Sequence, residues 1–273
     1  MAEKVIGGFS RGDIAFLLET VDPRLLARID TISFDPVIIE KILSQETDKL
    51  FRRIMLADDI LARISPLFFF EVSLRKALAD LRTRSYTLER TGSQKIPVFD
   101  SQKTVEFLSQ KKILRYLSEM LTSFTRIESY TRRLRVRKGI WRRVRFSEMD
   151  LDSLIMQAEA SDEEHRFVFY KRAADLCLFM LGMFPEHVSP DFSFSSGDKP
   201  RLFLGSRRSA EDYELEGRRF YGLAAAHRTA AVLGLVEVFS QLYQNFNLAR
   251  KPLNYLAEDI LTLSKQRLFR SPG

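Results

Sequence analysis

Residues 173–184 read Ala-Ala-Asp-Leu-Cys-Leu-Phe-Met-Leu-Gly-Met-Phe, and this run decides the fold class. A surface helix is apolar along one stripe, whereas this one is apolar almost all round, so it belongs in the middle of a helical body. Pro185 closes it. Asp175 is the one charged residue inside the run, and a carboxylate taken out of water must be paired or hydrogen-bonded. Lys171, one turn earlier, is the expected partner, so Asp175 reads as half of a structural ion pair. An acid or base role for it is the alternative.

Outward from this helix, apolar residues recur at intervals of three and four through most of the chain. Leu50, Phe51, Ile54, Met55, Ile60, Leu61 and Ile64 make one helical face over 48–64, and Pro66 suits the first turn of a helix running to about Arg82. Ser101 can cap a further helix reaching Phe124. Helices resume near Met149 and at Asp162, and two or three more run from Asp212 to about Phe269. Between them, Gly92 and Pro97 mark residues 90–100 as a linker or extended connection. Residues 185–210 hold three Pro, two Gly and six Ser, the composition of a long loop. The expected architecture is mainly α, with an N-terminal helical lobe at 1–92 and a C-terminal helical lobe at 93–273.

One segment breaks the helical period. From Tyr130 to Phe146 the residues alternate and are rich in Val, Ile, Trp and Tyr, so a single β-hairpin is expected at about 130–146 in the second lobe. A two-residue turn at Lys138-Gly139 would set Val136 opposite Trp141, Arg135 opposite Arg142, Leu134 opposite Arg143 and Arg132 opposite Arg145. Two Arg–Arg pairs across a ladder are unfavourable without an anion or carboxylates nearby.

Charge concentrates in the same place. Residues 111–145 carry twelve Lys and Arg against two Glu, a local excess of +10 in a chain whose formal total is +7. The remainder is therefore slightly acidic, and the positive charge is local. Immediately after the hairpin, residues 147–164 contain Glu148, Asp150, Asp152, Glu159, Asp162, Glu163 and Glu164 with no Lys or Arg, and an acidic helix folding back would neutralise the hairpin internally.

Composition narrows the remaining classes. With 45% hydrophobic residues, 29% charged and no window near the roughly 18 apolar residues of a membrane span, the sequence reads as that of a globular protein with no membrane role. The single cysteine, Cys177, excludes an internal disulfide and fits a cytoplasmic address. Gly7-Gly8 and Gly12 lack the Lys-Ser/Thr ending of a phosphate loop, and no Gly-x-Ser-x-Gly elbow occurs. His165, His187 and His227 show no metal-ligand spacing, so no cofactor, metal or catalytic residue is assigned.

The expected function is non-enzymatic binding to an acidic partner, nucleic acid in the first place, through Arg132, Arg133, Arg135, Lys138, Trp141, Arg142, Arg143 and Arg145. The alternative is a helical scaffold or assembly protein whose hairpin docks on an acidic protein surface. Gly222, Ala226, Ala230 and Gly234 recur every four residues as a ribbon of small residues, a possible seam for a homo-oligomer.

Overall fold

The computed structural model describes residues 8–57, 60–91, 94–98, 100–126, 129–137, 140–188 and 208–261; for 88–91, 94–95, 129–137 and 140–146 it describes the backbone. The chain is mainly helical. In order come α1 (Arg11–Val21), a 3-10 turn at Pro23–Arg28, α2 (Ile29–Ile32), α3 (Pro36–Gln45), α4 (Thr47–Met55), α5 (Ile60–Arg63) and α6 (Pro66–Thr83). The starts follow from the sequence. Asp35 accepts from the N–H groups of Val37 and Ile38 ahead of α3, and Ser65 accepts from Phe68 ahead of α6, each with proline in the first turn.

Asp13 links two of these starts. It completes a capping box with Ser10 at the head of α1, taking the Ser10 N–H at 2.7 Å. Its two oxygens also accept the Ser65 N–H at 2.6 Å and the Ser65 hydroxyl at 2.8 Å, and it is fully buried. One carboxylate thus ties the beginning of α6 to the beginning of α1.

The single helical face expected over 48–64 is divided. The chain turns at Leu56, which is 80% exposed, and α5 resumes at Ile60. Where a linker or extended connection was expected, β1 (Thr87–Thr91) and β2 (Gln94–Val98) pair antiparallel, from Thr87 opposite Val98 to Thr91 opposite Gln94. Pro97 argues against a ladder only in a central strand, and a two-stranded sheet has none.

Next come α7 (Ser101–Leu108) and α8 (Lys111–Ser123) in place of one long helix. At the break, the Ser109 hydroxyl bonds back to the Val105 carbonyl at 2.7 Å. After them lie β3 (Ser129–Arg137), β4 (Ile140–Ser147), α9 (Leu151–Ala160) and α10 (Glu163–Met183). Of the loop expected at 185–210, Pro185–Val188 form a 3-10 turn and Arg208 and Ser209 lead into α11 (Ala210–Ala226), while 189–207 lie outside the described residues. The chain continues through α12 (Arg228–Val232), α13 (Val236–Gln244) and α14 (Phe246–Tyr255), and a π turn follows at Leu256–Ile260.

Helix α10 is buried at every position from Ala173 to Met183 and packs against α9, α11 and α14. Two glycines permit the closest approaches. A Cβ on Gly182 would sit 2.6 Å from Leu253 Cβ of α14, and one on Gly217 of α11 would sit 2.5 Å from the Phe246 ring. Asn254 then closes the end of α10 by donating its amide to the carbonyls of Leu181 and Gly182, both at 2.8 Å. Buried apolar residues on both sides of residue 92, from Phe9 to Leu261, belong to one cluster, and α6 packs on α7, α8 and α14. Among the described residues no helix is long and apolar enough to cross a membrane.

A buried Lys251 crosses from α14 to the start of α7, where its ammonium bonds Asp100, whose other oxygen accepts the Thr87 hydroxyl at 2.6 Å. Burial pushes the Asp100 carboxyl up, but the Lys251 and Thr87 hydrogen bonds outweigh it and leave the group below its usual range.

Gly182→Ala should cost about 1–3 kcal/mol by overpacking, read as a lower thermal midpoint; an unchanged midpoint would show that α14 can retreat. Since the folded form of Asp100 holds its proton more weakly than the unfolded form, its contribution is complete above the ordinary carboxylate value of about 3.9 and fades as pH falls through the lower folded value. Urea midpoints on acidification should therefore fall less steeply in Asp100→Asn than in the parent chain, and parallel curves would contradict this.

Candidate functional site

The pairing of β3 and β4 differs from the expected register. Thr131 lies opposite Arg145, Arg133 opposite Arg143 and Arg135 opposite Trp141, whereas Arg137 lies opposite Ile140. The step between Arg135 and Arg137 leaves Val136 as an extra residue, a β-bulge, so the pairing is one residue away from that of a plain two-residue turn. This removes the expected Arg135–Arg142 and Arg132–Arg145 pairs and leaves a single Arg–Arg pair in the register, Arg133 with Arg143.

A one-residue slip also exchanges faces. Cross-strand partners share a face and neighbours along a strand alternate, so Arg133, Arg135, Trp141, Arg143 and Arg145 stand on one face, with Ser129, Thr131 and Ser147 beside them. The other face holds Tyr130, Leu134, Val144 and Phe146 together with Arg132 and Arg142. Of the eight residues singled out from the sequence, the backbone brings five together and separates two. Lys138 lies outside the described residues. The three hydroxyl residues on the arginine face were missed: Ser129 and Thr131 share it by alternation along β3, whereas Ser147 joins it through the bulge, which nothing in the sequence marks.

The acidic segment after the hairpin has partners of its own. Glu148 pairs with Arg172 at 2.9 Å, Asp150 caps α9 through Ser153, Asp152 pairs with Arg208, Glu163 with Arg166 at 3.0 Å, and Glu164 with Arg228. Helix α9 also touches β4.

The second cluster of chemistry is Asp175. Its carboxylate is fully buried and takes three donors: Lys171 Nζ at 2.6 Å, the Tyr116 hydroxyl at 2.5 Å and the Tyr221 hydroxyl at 2.9 Å. Lys171 was legible from the sequence, one turn away. The tyrosines were not, since they come from α8 and α11 and no local spacing announces them. Burial first, then the Asp175 charge, holds both phenols well above the ordinary tyrosine range, so they remain donors. Burial likewise pushes the Cys177 thiol up, which keeps it unreactive. The cluster has the form of a satisfied core junction of α8, α10 and α11.

His227 and His187 are engaged within the helical body. His227 accepts the Thr229 N–H on Nδ1 at 3.1 Å, so its Nε2–H donates to the Glu163 carbonyl at 2.8 Å. His187 stacks on Phe184 with ring centres 5.4 Å apart. Among the described residues no three His, Cys, Asp or Glu side chains are grouped so as to hold a metal ion. A cleft of about 250 Å³ separates the start of α8 from α13, between Lys111, Lys112 and Ile113 on one side and Glu237, Val238 and Gln241 on the other. The Lys112–Glu237 pair spans it at 3.0 Å.

The small-residue ribbon is corrected by the structure. Gly222 and Ala226 belong to α11, His227 caps a new helix containing Ala230, and Gly234 takes a left-handed φ of 67° in the turn after it. The four residues therefore share no helix face. Gly222 faces Tyr243 of α13 within the same chain, and Ala230 is buried.

Comparison with protein-family models, with curated proteins and with solved structures finds no match to this chain.

Asp175→Ala should cost about 3–5 kcal/mol in denaturant titration, because Lys171 loses its buried partner and two phenols lose their acceptor. Tyr221→Phe, which removes one donor, should cost about 0.5–1.5 kcal/mol. Equal losses for the two variants would show that the charge itself matters little.

Proposed function

We propose that this chain is a non-enzymatic binding protein that contacts an acidic partner, nucleic acid in the first place, through the arginine face of the β3–β4 hairpin. The observation that carries the reading is the β3–β4 register, which places Arg133, Arg135, Arg143 and Arg145 on one face of the ribbon; the acidic segment beside it is engaged with the helical body. Five of its seven carboxylates have partners or caps elsewhere: Arg172, Ser153, Arg208, Arg166 and Arg228. Arginine with serine and threonine on one face is the donor set that contacts phosphate oxygens. The address consistent with this reading is the cytoplasm.

A second reading is a helical scaffold or assembly protein whose hairpin docks on an acidic protein surface, and a separate apolar surface would suit further protein contacts in such a role. Val232, Leu233 and Val236 are all exposed at the α12–α13 corner, an apolar patch of the kind that protein partners cover.

Labelled DNA and RNA of mixed sequence, titrated with the full chain at low salt, separate the two readings. Nucleic-acid binding should weaken by roughly two decades between about 50 and 200 mM salt if four phosphates are neutralised. It should collapse in a chain carrying Arg143→Glu and Arg145→Glu. Failure to bind either nucleic acid at low salt would favour the scaffold.

A further inference from the structure

Resting on the nucleic-acid reading of the hairpin, we infer that its partner is B-form double-stranded DNA, with the arginine face of the ribbon seated in the major groove. The backbone supplies the shape. Two strands about 4.8 Å apart make a ribbon that enters a groove about 12 Å wide and 8.5 Å deep, whereas the major groove of A-form RNA is too narrow. The nine residues of β3 extend about 30 Å, a little under one duplex turn of about 34 Å.

The register supplies the charge pattern. Arg133 and Arg135 come from one strand and Arg143 and Arg145 from the other, so each strand of the ribbon contributes two arginines to the same face. A groove flanked by two phosphate backbones presents negative charge on both sides. A single strand presents one backbone, and proteins that hold single strands lay successive bases on several aromatic rings. The arginine face carries one aromatic, Trp141, while Tyr130 and Phe146 stand on the other. Without the bulge at Val136 this pattern would not exist, because the arginines of β4 would exchange faces.

The test uses the full chain and three labelled probes of one mixed sequence, about 20 units long: duplex DNA, its single strand and duplex RNA. Fluorescence anisotropy at low salt should give an affinity for duplex DNA at least about tenfold above the other two. Arg133→Gln with Arg143→Gln should lower that affinity about tenfold or more, and Arg132→Gln with Arg142→Gln, on the opposite face, less than about twofold. Circular dichroism and melting curves identify any variant that has lost its fold; the comparison of the three probes with the parent chain does not depend on them. A preference under tenfold, or for either of the other probes, overturns the inference and leaves the nucleic-acid reading standing; loss of single-strand binding in Trp141→Ala would then assign a stacking role. Equal losses from the two double variants, both folded, overturn the face assignment. Binding to none of the three probes overturns both readings.

Discussion

A helix with no wet side must find neighbours in every direction, and α10 imposes that requirement on the rest of the molecule. From Ala173 to Met183 every position is buried, so α9, α11 and α14 are needed together to cover it. The small residues Gly182 and Gly217 set how near two of those neighbours come. The same enclosure dictates the fate of Asp175. A carboxylate there is tolerated only with its acceptor capacity filled, which is why α8 and α11 each send a tyrosine and α10 supplies Lys171. Packing and polar satisfaction are one problem at this junction.

The hairpin obeys a different economy, since a two-stranded ribbon gains little stability from its own ladder. What matters in it is phase. Inserting Val136 without a partner shifts β4 against β3 by one place, and the arginines sort into a face free of aliphatic residues and a face that mixes them with Tyr130, Leu134, Val144 and Phe146. A change of one residue in register, with no change in composition, thus regroups the arginines of β4 with a different set of β3 residues.

Much of this was readable from residue order alone. The all-round apolar run announced the central helix, and Lys171 was one turn from Asp175. Helix breaks were less legible, because they depend on competition between neighbouring bonds. The breaks after Leu108 and at exposed Leu56 each interrupt an apolar pattern that continues unbroken in the sequence. The strand pair at β1 and β2 was hidden by Pro97, a residue that excludes a central strand but not an edge. The bulge left no trace at all, since valine is at home in any strand, and with it the division of the arginines was unreadable. The ribbon of small residues misled for the opposite reason: a perfect spacing of four was cut by His227, whose ring caps a new helix.

Asp13 carries a consequence for how the N-terminal third holds together. Its oxygens accept the N–H and hydroxyl of Ser65, fifty-two positions away, while capping their own helix through Ser10. The phenylalanine-bearing helix that begins at Pro66 is therefore not autonomous at its first turn. Fraying of the leading segment would strip a polar anchor from α6, so local opening at one helix should propagate to the other, and amide protection at the two starts should rise and fall together.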